Sequence, residues 1–435
     1  MLFKSIGELI PLYALYALLF ADHGMSTMQI SVLFAIWSTT SFLLEVPSGA
    51  WADTVSRRAL LVLSGVLLTA GFMLWTVAPG FAGFAAGFVL WGTSGALASG
   101  TFEALLYDDL TARGESAAYP RILGYTRAGA EAAVVVAILA ATPLYRYGGY
   151  ALVGWSSVAF AAVHAALALS LPTAPKAVSA VDVDDLEDEV SAPFEAHPTV
   201  HDAALCAGVS VPERHVTRPR PFARYLGMLK AGVREAVRVR TVRYGVLLEA
   251  LLFGITAFDE YFALLAEEVG VSTAVVPLLV GLTVLGSLTG SVLAGRTEGM
   301  SGRTMATAVG VAGVLFLGGA LIAGLAARRP DAVYLLTGLG FTAIGISYGI
   351  VYNAGVVAGA RLQDAIEGSA RATVTSVSGL LGEMVALAVF GFAALATIWC
   401  SMSTLLALLG ATILATAACT PRWLPQRPPT PPSGT

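Results

Sequence analysis

The chain is 435 residues long, 56% hydrophobic and only 12% charged, with a mean hydropathy of +0.75 and a formal net charge of −4. Soluble domains carry about a quarter charged residues, so this composition excludes a water-soluble globule and indicates an integral membrane protein. The net charge says little about partners, among which no nucleic acid is expected, and Cys206, Cys400 and Cys419 do not suggest a disulfide framework.

A helix needs about 20 apolar residues to cross about 30 Å of hydrocarbon. That ruler places spans, in chain order, over 5–22, 29–52, 59–78, 81–106, 121–142 and 150–171, and then over 244–266, 274–295, 304–326, 332–356, 372–397 and 401–420. The expected fold is all-α and membrane-embedded, with twelve transmembrane helices in two six-helix bundles. Residues 1–171 form the N-terminal bundle, 172–243 a cytoplasmic linker, 244–420 the C-terminal bundle and 421–435 a disordered, Pro-rich cytoplasmic tail. In the linker "VDVDDLEDEV" reads as solvated and disordered, while "RPRPFARYLGMLKAGVREAVRVRTVR" has the pattern of an amphipathic helix on the anionic inner leaflet. No basic stretch leading to a small-residue cleavage site precedes the first span, so no signal peptide is expected.

With the N-terminus inside, the external loops hold only Arg146, Arg328 and Arg329, and the other 22 of the 25 basic residues fall on or beside the cytoplasmic side. Cytoplasmic loops of membrane proteins carry the excess of Lys and Arg. Both termini are therefore expected in the cytoplasm, and the protein in the cell membrane with lipid around it.

The two sets of six align at an offset of 246 residues, which sets "YALLFADHGMST" on "FALLAEEVGVST", Gly49 on Gly295 and Arg57 on Arg303. Ser26 and Ser272 each stand where a helix N-cap would open the next span. Parallel repeats with a site between them are an architecture of secondary transporters. The turn after span two, "GAWADTVSRR", resembles the loop signature of the major facilitator superfamily, matching it at Gly49, Asp53, Arg57 and Arg58 and departing at Thr54 and Ser56. The second half echoes it as "GRTEGMSGR", with Gly299 where the acid would stand. "LLEVPSGAWAD", "SGTFEALLYDDLTARGE" and "ARATVTSVSGLL" further resemble segments of a subgroup of uncharacterised bacterial members of that family. The resemblance implies the facilitator fold, its halves related by a pseudo-twofold axis. It also implies a conformational latch in which Gly49 allows close helix approach, Asp53 meets the start of span eleven near Arg371 and Ala372, and Arg57 and Arg58 pair with Asp108 and Asp109. The alternative for the two arginines is that they only mark topology.

Ionisable residues at membrane depth are costly and are functional candidates by default. Arg127 and Glu131 lie four apart on span five and can pair; Glu383 reaches a similar depth on span eleven, and Asp259 and Glu260 lie toward the outer end of span seven. Each has a static alternative: a helix-gluing ion pair for the first two, an interfacial position for the last two. Glu8 and Glu249 are expected to snorkel, Glu45 and Glu103 to bond near the latch, and His164 to be structural. Tyr13, Tyr16, Tyr348 and Asn353 are placed on spans expected to line a cavity, with packing as the alternative. The reading that follows is a secondary active transporter working by alternating access, proton-coupled through Glu131 or Glu383. Its substrate would be a small solute, cationic or amphipathic, moved outward. The alternative is a non-transporting sensor or scaffold with the same fold. No enzyme, cofactor or metal site is expected, nor any ATP-binding loop, and the chain is expected to act as a monomer.

Overall fold

A computed structural model describes residues 1–173, 238–366 and 371–426, and for 45–47, 49, 50, 52–54, 371–373 and 376 it describes the backbone alone. Nearly all of the expected linker and most of the expected tail lie outside the described residues.

Among the described residues helix is the only regular secondary structure. Inside lipid no water is at hand to satisfy amides, so an apolar run must bond its own backbone. Among the described residues ten helical stretches are long and apolar enough to cross a membrane, and with the broken first span they make twelve crossings. Ser116–Ala168 holds two of them, reversing at Gly149, whose φ of +57° favours glycine. Before the reversal Ile138 touches Gly281 of span eight; after it Gly154 meets Thr76, and Ala165 meets Gly65 at the other end of span three. The first span escapes the length test because it is broken into Leu2–Gly7, a 3-10 turn at Pro11–Ala14, and Tyr16–Asp22. Pro11 has no N–H to continue the helical ladder.

The other spans are Thr27–Thr54, Arg57–Val77 and Phe81–Ala98 continued by Thr101–Ala112 in the first half. In the second, span seven runs through Arg240–Gly254, a 3-10 segment at Ile255–Tyr261, and Phe262–Glu268. Spans eight to twelve are Val276–Thr297, Gly302–Leu325, Val333–Ala365, Arg371–Ala396 and Met402–Trp423. Spans one and seven are thus both interrupted by 3-10 geometry at equivalent places in the repeat.

The packing repeats too. Span three lies against four and six, and span two against four; span nine lies against ten and twelve, and span eight against ten. Between the halves span two packs on eleven and span five on eight, each contact the twofold image of the other. Without a hydrophobic drive between helices in lipid, small residues must let backbones approach. The tightest crossing sets Gly286 and Gly290 of span eight on Gly345 and Gly349 of span ten, where a Cβ would meet backbone.

Two local expectations need correction. Ser26 does open span two with a full capping box to Gln29, but Ser272 does not cap span eight. A turn intervenes, and the helix starts at Val276 with Pro277 in its first turn, where a ring nitrogen costs no hydrogen bond. Span twelve also runs three residues past 420, and Leu424 beyond it is buried.

With an even number of crossings, both described chain ends lie on one face, the terminal face. Toward the opposite face Phe20, Phe34, Phe258, Tyr261 and Phe262, drawn from both halves, are fully buried in one continuous core. This layer seals that end of the interface between the halves.

Candidate site: an acid-lined cavity between the halves

Below the aromatic seal, spans two, seven and eleven part to leave a cavity of about 470 Å³. Its walls include Trp37 and Ser38 from span two, Phe253 from span seven, and Ser378 and Phe390 from span eleven. Four carboxylates face it: Glu249, Asp259 and Glu260 from span seven and Glu383 from span eleven. Among the described residues no Lys, Arg or His lines it.

Each carboxylate is held by a hydroxyl. Ser378 donates to Glu249 at 2.6 Å, Ser38 to Glu383 at 2.6 Å, and Tyr348 to Asp259 at 2.5 Å, while Tyr16 donates to Glu260. A hydroxyl orients a carboxylate without cancelling its charge. The local break in span seven explains the split between Asp259 and Glu260. In a 3-10 segment successive side chains point about 120° apart, so the first turns to span ten of its own half and the second to span one of the other.

Three hydrogen bonds cross between the halves at or beside this cavity: Tyr16 to Glu260, Ser38 to Glu383, and Tyr261 to Ser31 at 2.8 Å. Tyr13 does not reach the carboxylates. It stacks on Trp91 at 5.2 Å, in an aromatic cluster that continues through Trp37, stacked on Trp91 at 5.0 Å. Asn353 corrects the expectation of a cavity-lining residue, since it bonds the Gly290 carbonyl at 2.9 Å and Thr297 at 3.0 Å and so ties span ten to span eight. Arg127 and Glu131 are both exposed and form no ion pair among the described residues, contrary to the pairing expected from their spacing. Glu131 instead lies within electrostatic reach of Glu8 and Tyr352, nearer the terminal face.

The expected latch residues are only partly brought together. Arg57 pairs with the buried Asp108 of span four and also donates to the Ala104 carbonyl at 3.3 Å. Arg58 corrects the expectation of an acidic partner: it donates to the Leu169 carbonyl, at the end of span six, where the helix leaves unsatisfied acceptors and partial negative charge. Asp109 is taken by Arg113 at 2.9 Å, one helical turn on. The side chain of Asp53 and the surroundings of Gly49 lie outside the described residues, as does the side chain of Glu45. His164 bonds the Phe3 carbonyl at 2.9 Å and stacks on its ring, and Lys4 pairs with Glu103 at 3.7 Å.

Of the lining residues, sequence reasoning singled out only Asp259, Glu260 and Glu383. Trp37 had no charge or motif to flag it. Glu249 was assigned to the interface, although its eleven-residue spacing from Glu260, three helical turns, sets both on one face.

A family model described as Major Facilitator Superfamily matches residues 2–386. The chain belongs to that superfamily. Among solved structures it is similar to a D-xylose-proton symporter, with a TM-score of 0.62 and 15% identity over 98% of this chain and 97% of that one. It is also similar to a mutant of the nucleoside transporter NupG, with a TM-score of 0.69 and 10% identity over 96% and 98%. No curated protein sequence matches it. The expected fold of two pseudo-symmetric six-helix bundles is thus the fold found, in a multi-pass membrane protein.

Proposed function

We propose that this chain is a secondary active transporter of a small organic cation, coupled to protons and working by alternating access. One observation carries the reading: a cavity between the two halves, lined by four carboxylates and, among the described residues, by no base. A sugar or nucleoside needs no such charge, and a phosphorylated solute would be repelled by it. Trp37, Phe253 and Phe390 add apolar and π surface to which an amphipathic cation can bind.

Coupling is assigned to Glu383. Its hydroxyl partner Ser38 belongs to the other half, so the bond that orients the carboxylate must break when the halves rock. A cation entering the cavity then competes with a proton for the freed carboxylate. Exchange of the two is antiport. With the termini in the cytoplasm, as the distribution of Lys and Arg indicates, the aromatic layer closes the cavity to the outside, and export is the productive direction. Glu131, nearer the terminal face, is a second protonation site on the same route.

The test is uptake of phenyltrimethylammonium, which has no neutral form to leak through lipid, into proteoliposomes under an imposed pH gradient. Gradient-dependent accumulation that collapses in Glu383→Gln is expected. Accumulation that persists unchanged in Glu383→Gln combined with Glu131→Gln would remove the coupling assignment.

A further inference from the structure

The four carboxylates are not clustered at one point, and their arrangement along the cavity limits the solute further. Glu249 and Glu260 are eleven residues apart on span seven, about 16 Å along the axis at 1.5 Å per residue, and more where the segment is 3-10. Glu383 falls between them. Gly254, midway, packs against the carbonyl of Gly382 and the side chain of Val385, which sets Glu383 level with that point of span seven. The cavity therefore presents carboxyl groups at three levels: Glu249, Glu383, and the pair Asp259 and Glu260. Successive levels are separated by about 7–9 Å.

A compact monocation would occupy one level and leave the others uncompensated in a site partly removed from water, where an unpaired charge is costly. The hydroxyl partners do not remedy this, because all four are neutral donors. Among the described residues no salt bridge joins a cationic side chain to Glu249, Asp259 or Glu260. The wall between the levels is apolar or small, with Phe253, Ala250, Gly254 and Ala257 on span seven and Gly379 and Gly382 on span eleven. Charge at intervals, with methylene-compatible wall between, is the complement of a linear amine bearing charge at both ends.

We infer that the preferred solute is an elongated di- or polycation, an α,ω-diaminoalkane or a polyamine, bound lengthwise with one ammonium at Glu249 and the next at Glu383. An extended chain of about four to six methylenes spans one interval. The inference rests on the cation reading above and narrows it. Glu249 has the distinguishing role, since a monocation can be served by Glu383 and the Asp259–Glu260 pair without it.

The experiment is calorimetric titration of the purified full-length chain in detergent with 1,5-diaminopentane and, separately, with pentylamine, followed by the diamine series from three to eight methylenes. The diamine is expected to bind at least ten-fold tighter than the monoamine of equal length, with an optimum at four to six methylenes. In Glu249→Gln the ratio is expected to fall below two-fold, and Glu249→Asp to recover part of it. Thermal unfolding of each variant checks that it is folded. Equal affinity for diamine and monoamine in the unaltered chain would overturn the inference and leave the cation reading standing, as would a ratio unmoved by Glu249→Gln in a folded protein. Failure of both amines to bind would overturn the two together.

Discussion

The turn after span two and its repeat after span eight do the same mechanical job with opposite chemistry. In the first half the cation belongs to the turn: Arg57 reaches from the start of span three to the buried Asp108 of span four. In the second half the cation belongs to the facing helix. Arg361, buried on span ten, donates to the carbonyls of Glu298 and Met300 in the turn at 2.6 and 2.8 Å, and to Pro425 beyond span twelve at 3.4 Å. Arg303, the sequence equivalent of Arg57, is exposed. Duplication has thus preserved the tie between turn and fourth helix while exchanging the residues that make it. The first tie is an ion pair, whose strength depends on charge at both ends. The second depends on one charge and a set of backbone dipoles, and it also gathers in the chain after span twelve, where Leu424 is buried and Trp423 stacks on Tyr244.

Substitutions at the three arginines would break that comparison in graded ways, read as unfolding in detergent followed by tryptophan fluorescence. Arg57→Ala removes the cation paired with the buried Asp108 carboxylate and is expected to cost about 3–5 kcal/mol. Adding Asp108→Asn to it should restore much of the loss, whereas equal damage from single and double variants would show that charge is not what matters there. Arg361→Met keeps the stem but strips the turn carbonyls of their donor, for an expected loss of about 2–3 kcal/mol. It should also expose Trp423 to aqueous quenchers, which Arg57→Ala should not. Arg303→Ala, on an exposed side chain, is expected to shift stability by less than about 0.5 kcal/mol. A loss at Arg303 as large as that at Arg57 would mean that the second turn works like the first after all.

The contrast also shows what the sequence could and could not disclose. Twelve apolar runs and their duplication are properties of composition and spacing, which bilayer thickness converts directly into helices, and so the architecture was legible. The break in span one was not read, although Pro11 marks it. Span seven breaks without a proline, and nothing in "FGITAFDEYF" signals it. Arg361 escaped notice because its acceptors are carbonyls, which every residue has. Glu249 was misplaced for a geometric reason: span seven starts at Arg240, four residues before the hydropathy boundary at 244, which moves Glu249 about 6 Å deeper. The pairing of Arg127 with Glu131 was inferred from spacing alone, and spacing does not say that both side chains are exposed.

Most direct for the account as a whole is proton movement driven by the solute itself. Proteoliposomes holding a trapped pH indicator, with no gradient imposed, would receive external phenyltrimethylammonium or 1,5-diaminopentane. The account predicts that cation entry expels protons and raises the internal pH at a rate that saturates with cation concentration, and that Glu383→Gln abolishes the signal. Cation entry with no accompanying change in internal pH would contradict it.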